Sequence, residues 1–176
     1  ANLYMSGLEG VGPVVAGTLV GFYWFCMMLG RLLGGAIGAK VSSKQMLTFA
    51  NILAIVFVLC LMFIPESVRM SIPGVDAQVP VSMVFMFLCG LCTSVMWGGI
   101  FNLAVEGLGN STEKASGIFM ALVCGGGILP LIQNAIVDTT GTAYQTSYWI
   151  IVAGLAYILF YALIGSKNVN KNIPVD

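Results

Sequence analysis

Tyr23, Trp24, Asn51, Trp97, Asn102, Gln133 and Asn134 are amide and large aromatic polar side chains that stand inside long apolar stretches. A buried amide costs free energy unless it is paired, so each amide must face either a neighbouring helix or a ligand. Amides beside aromatic faces suit carbohydrate: the amide exchanges hydrogen bonds with hydroxyls, and the ring covers the apolar C–H face. Asn51 lies alone near the inner end of its stretch and reads as an interhelical hydrogen bond. Trp97, Asn102 and Gln133 are the leading candidates for ligand contact, with Asn134, Tyr23 and Trp24 flanking them.

Other chemistry is excluded by what is missing. The 176 residues contain no histidine, which removes Ser-His catalysis, most zinc sites and histidine proton relays. No apolar stretch carries a central Asp or Glu, so these stretches contain no intramembrane carboxylate dyad and no evident proton carrier. Cys89-Gly90-Leu91-Cys92 has redox-motif spacing, but no strand precedes it and no charge lies near to activate a thiol. Gly125-Gly126-Gly127 lacks the lysine and Ser/Thr of a phosphate loop. We expect no enzyme, no cofactor, no metal site and no nucleic-acid partner.

The elements that must position these side chains follow from composition. Residues are 59% hydrophobic and 8% charged, against about 25% charged in an ordinary soluble domain. The charges leave free windows at Gly10–Gly30, Gln45–Pro65, Ala77–Val105, Ala115–Val137 and Thr139–Ser166, of 21, 21, 29, 23 and 28 residues. A helix needs roughly 20 apolar residues to cross a bilayer. Five spanning helices are expected, at about 14–37, 46–64, 81–105, 115–137 and 147–165. A membrane barrel is excluded, because its strands alternate apolar and polar residues. The odd number of spans, and a start at Ala1, suggest part of a larger protein.

Lysine and arginine set the orientation, since short loops rich in them stay in the cytoplasm. Arg31, Lys40, Lys44, Lys114, Lys167 and Lys171 fall on one side, and Arg69 alone on the other. The start of the chain is therefore expected outside, and the tail 167–176 in the cytoplasm. Asn110-Ser111-Thr112 matches a glycosylation sequon but lies on the cytoplasmic side.

Membrane helices pack through small residues that let backbones touch. Gly30, Gly34 and Gly38 form one such stripe, Ser94 with Gly98 and Gly99 a second, and Gly117, Ala121 and Gly125 a third. Packing accounts for most of these glycines. Three glycines ahead of Pro130 differ: the proline lacks a donor and crowds the carbonyl of Gly126, so the fourth span should bend there. Interrupted helices often line the substrate path of transporters.

"FYWFCMMLGRLLGGAIGAK" (Phe22 to Lys40) resembles the aromatic-glycine-arginine segment on the eighth helix of the fucose, galactose and glucose proton symporters, a branch of the major facilitator superfamily. "SVMWGGIFNLAVEGLGNSTEKASGIFMALVCGGGILPLIQNAIVD" (Ser94 to Asp138) is similar to the tenth and eleventh helices of that branch. The resemblance implies an all-α integral membrane fold, with five transmembrane helices forming most of the C-terminal six-helix half. Residues 1–10 would end helix seven and its outer loop, and 11–166 would be the half-domain. It implies a proton-coupled hexose symporter of a bacterial inner membrane, whose two halves rock about a central site. Its partners would be the sugar, the proton, the lipid bilayer and the N-terminal half of the same transporter.

By the same resemblance Trp97 would stack on the sugar, Asn102 and Gln133 would bond hydroxyls, and Tyr23 and Trp24 would flank the path. Gating would fall to Gly30, Arg31, Gly34, Lys40, Glu106, Gly126 and Pro130. Arg31 can extend its stem to the cytoplasmic surface, where Glu106 or Glu113 is a plausible partner. Two departures stand out: Gly98-Gly99 follows Trp97 where the family commonly has proline, and Asn134 stands where a small residue is expected. The alternatives are a transporter of the same superfamily for a non-sugar solute, or a non-transporting membrane scaffold.

Overall fold

The computed structural model describes residues 13–65, 67–71, 78–140 and 147–167. Among the described residues there are six α-helices: α1 Pro13–Gly38, α2 Ser43–Phe63, α3 Ser82–Val105, α4 Thr112–Leu122, α5 Ile128–Thr140 and α6 Trp149–Leu163. Between α2 and α3 lies an antiparallel hairpin, β1 Arg69–Ser71 with β2 Gln78–Pro80, in which Met70 pairs with Val79. The fold is that of an all-α membrane protein, and these two short strands are its addition.

Among the described residues three helices are long and apolar enough to cross a membrane: Val14–Gly38, Ser43–Phe63 and Ser82–Val105. Trp149–Leu163 is a shorter apolar helix. α4 and α5 are joined by the 3-10 segment Val123–Gly127, so the glycine-rich stretch interrupts the helix where a bend was expected. Pro130 accordingly stands in the first turn of α5, not inside a continuous α-helix. Its missing donor costs little in a first turn, and the tighter coil ahead of it absorbs the crowding at Gly126.

The start of α2 is set by its cap. Ser42 Oγ accepts from Gln45 N at 3.3 Å and donates to Gln45 Oε1 at 3.0 Å, a capping arrangement at S-x-x-Q spacing. α3 is the central element, packed on both α1 and α2, while α2 also packs on α6. Leu47, Ala54 and Leu61 of α2 and Met83, Cys92 and Met96 of α3 are buried in the core, with Leu155 and Ala162 of α6. α1 supplies only Ala16 and Leu19 to the buried apolar set, and much of its surface, including Trp24 and Leu32, is exposed. In a membrane, exposed apolar faces meet lipid or other helices.

Small residues set the approach of α1 to α3. A Cβ added at Gly34 would collide with Val95, and one at Gly30 with Ser94 and the Leu91 carbonyl. Gly90 of α3 receives the Tyr23 ring, where an added Cβ would lie 2.7 Å from Tyr23 Cε2. Gly99 plays the same part toward α2, its added Cβ 3.1 Å from Leu47 Cβ. Gly35, Gly98 and Gly117 face open space, so the stripes read from the sequence are only partly packing surfaces.

One amide bond ties α2 to α6: Asn51 Nδ2 donates to the Leu155 carbonyl at 3.0 Å, in full burial. Its Oδ1 has no hydrogen-bond partner. The interhelical reading of Asn51 is therefore the geometry observed.

Candidate functional site

Trp97 projects from the C-terminal half of α3 and is 42% exposed. Its ring packs on Phe119 of α4 with centroids 5.1 Å apart and planes inclined at 55°. Phe101 meets the same Phe119 ring edge-on at 5.4 Å. Trp97 and Phe101 stand four residues apart on one helix face, so they hold the α4 ring between them. The aromatic trio is the side-chain bridge from α3 to the interrupted helix.

Asn102 lies elsewhere. Five residues at about 100° each turn it well away from Trp97 around the helix, toward α2, where Asn102 Nδ2 reaches Ser43 Oγ at 3.5 Å. Asn102 and Ser43 line a polar cleft of about 340 Å³ together with Arg31, Gly34 and Ser94. They also line a second of about 540 Å³ with Lys44, Glu106 and Ser166. Neither Trp97 nor Gln133 borders these clefts.

Gln133 and Asn134 are half-buried on α5. Gln133 Nε2 donates to Ser147 Oγ at 2.8 Å, and Ser147 is buried. This bond spans the connection between α5 and α6. Within the described residues, then, the three leading ligand candidates point to three places and do not form one pocket.

Tyr23 and Trp24 split in the same way. Tyr23 is half-buried in the Gly90 notch, while Trp24 is 61% exposed, its ring edge-on to Tyr23 at 6.0 Å. The candidate gating residues gather at the other end of α1. Arg31 and Gly34 share the 340 Å³ cleft, and Lys40 is exposed in the turn after Gly38. Glu106 faces Lys44 across the other cleft, and among the described residues Arg31 forms no salt bridge with Glu106 or Glu113. The expected pairing is absent because Arg31 and Glu106 open onto different cavities. Lys44 Nζ instead donates to the Leu163 carbonyl at 3.4 Å, at the C-terminal end of α6, where a cation is favoured. Gly126 and Pro130 bracket the junction of the 3-10 segment with α5.

Four residues of this geometry were not singled out from the sequence: Ser43, Phe101, Phe119 and Ser147. Phe101 was within reach of helical spacing from Trp97. The partners of Asn102 and Gln133 lie 59 and 14 residues away, each beyond the end of the helix that carries the amide, where periodicity within one helix does not reach.

Comparison with known proteins adds what geometry alone does not. The glucose/galactose transporter of Brucella abortus biovar 1 (strain 9-941) is 33% identical over 161 residues, covering 92% of this chain and 35% of that protein. A relative from Helicobacter pylori (strain J99 / ATCC 700824) is 33% identical over 150 residues, covering 84% of this chain and 34% of that protein. The chain thus spans about a third of the length of the curated relatives it matches. No solved structure matches it. The family model of the Major Facilitator Superfamily matches residues 2–174. With its apolar spanning helices, small-residue packing and interrupted fourth segment, the chain belongs to the Major Facilitator Superfamily, an all-α, multi-pass membrane transporter family.

Proposed function

We propose that this chain is part of a proton-coupled hexose symporter that works by alternating access, contributing most of its C-terminal half. The observation that carries the reading is Trp97: a large ring, partly exposed in the C-terminal half of a spanning helix, packed on Phe119 in helices otherwise short of polar groups. Such a ring covers the C–H face of a sugar and leaves its hydroxyls to amides. The relatives named for glucose and galactose support the same substrate class.

In this reading residues 1–10 end the preceding helix, 11–166 form the half-domain and 167–176 a cytoplasmic tail. The protein sits in a bacterial inner membrane with the start of the chain outside. The site forms between this chain and the N-terminal half of the same transporter, so the scattered candidates need not share a pocket within this half. Trp97 stacks on the sugar, Asn102 and Gln133 bond hydroxyls in different states of the cycle, and Asn134, Tyr23 and Trp24 border the path. Gly30, Arg31, Gly34, Lys40 and Glu106 act at the cytoplasmic gate, and Gly126 with Pro130 lets the interrupted helix flex. The proton-binding groups lie in the other half.

Counterflow of labelled hexose by the full-length protein tests the site. Trp97→Ala and Gln133→Ala should each depress it strongly; unchanged counterflow in both would remove these residues from the site.

A further inference from the structure

Beside the C-terminal part of α1, Gly30 to Gly38, lies an apolar trough of about 490 Å³. Its walls are Leu33 and Ile37 of α1 and Phe49 and Leu53 of α2, and its floor is Leu91 and Cys92 of α3. The volume falls in the range of roughly 300–1,000 Å³ that holds small molecules. The trough adjoins the polar cleft described above, because Gly34, Val41, Met46 and Val95 border both. One cavity is lined by apolar residues apart from Gln45; the other presents Arg31, Ser43 and Asn102.

No carboxylate borders either cavity. Arg31 is exposed and has no ion pair among the described residues, with Lys40 exposed one helix end away. A guanidinium at a membrane face without a protein counter-charge favours an anion. The neighbouring 540 Å³ cleft differs: it contains both Lys44 and Glu106, and so has no net preference for one.

We infer that the adjoining trough and cleft together bind an anionic phospholipid, with an acyl chain between α1 and α2 and the phosphate on Arg31. A lipid matches both halves of the cavity at once: apolar tail to apolar wall, anionic head to cation and hydroxyl. Basic pockets between membrane helices select such headgroups. The inference requires only that the helices sit in a bilayer and is independent of the sugar reading.

The test uses the full-length transporter in vesicles containing phosphatidylglycerol with a photoreactive acyl chain, the sites of labelling being mapped by peptide mass spectrometry. Label is expected on Leu33, Ile37 or Phe49, displaced by unlabelled phosphatidylglycerol and not by phosphatidylcholine of the same chains. Arg31→Gln should lower it about fivefold and Arg31→Lys should largely restore it. Ile37→Trp, which fills the trough from an exposed wall, should abolish the label in a protein that stays monodisperse. Label confined to other residues, equal competition by phosphatidylcholine, or indifference to Arg31→Gln would each overturn the inference. So would disulfide formation between Ile37→Cys and a cysteine in the other half, which would show the trough filled by protein.

Discussion

Phe119 of α4 lies between Trp97 and Phe101 of α3, its centroid 5.1 Å from the first ring and 5.4 Å from the second. Through this contact the interrupted helix fixes the tilt of the one exposed aromatic on the central helix. An aromatic pair adds about 0.5–1.5 kcal/mol beyond its buried area. Phe119→Leu should therefore raise the half-saturating hexose concentration in counterflow, by about two- to tenfold. Trp97→Ala should raise it further. If Phe119→Leu left the hexose concentration dependence untouched, the ring would be packing only.

Gly34 and Gly35 are neighbours with opposite surroundings: one faces Val95, the other open space. Gly34→Leu should cost on the order of 1–3 kcal/mol by overpacking and lower the melting temperature of the detergent-solubilised protein. Gly35→Ala should not lower it. Val95→Ala in the Gly34→Leu background should recover part of the loss, because it vacates the colliding atoms.

Asn51 donates to the Leu155 carbonyl, yet its own oxygen is buried without a partner. Interhelical hydrogen bonds in membranes average about 0.6 kcal/mol, while an unsatisfied buried acceptor costs roughly 1–3 kcal/mol. Asn51→Leu, similar in volume, should leave thermal stability unchanged or raised. Asn51→Ala should lower it by opening a cavity. A marked loss in Asn51→Leu would show that the amide does more than join α2 to α6.

Gln133 and Ser147 test whether an amide that already has a partner also serves a ligand. Ser147→Ala should cost no more than about 1.7 kcal/mol of stability. If the Gln133 amide exchanges Ser147 for sugar, the variant should bind hexose at least as tightly as the parent. Weaker binding in tryptophan-fluorescence titration would mean that Ser147 orients the amide.

Pro130 begins α5 behind the 3-10 segment Val123–Gly127. Pro130→Ala combined with Gly126→Ala restores donors and helix propensity, favouring a continuous α-helix by on the order of 1 kcal/mol at the glycine alone. Hexose binding should persist while the maximal transport rate falls. Equal loss of both would place the interruption in the binding site itself.

The sequence by itself determined the solvent of this protein and the class of its fold. Sparse charges bound its apolar windows, and only helices satisfy their own backbone in lipid at that composition. It also marked the interruption ahead of Pro130, because proline and glycine act on the local backbone. It did not determine which polar side chains meet. Trp97, Asn102 and Gln133 read as one set because each is unusual in an apolar helix, but helix rotation sends them to Phe119, Ser43 and Ser147. Arg31 and Glu106 share a side by charge count and still open onto different clefts. Hydropathy fixes depth along a helix axis; azimuth around that axis comes only from the packing of each helix on its neighbours, here from Gly30, Gly34, Gly90 and Gly99 letting α1 and α2 close on α3.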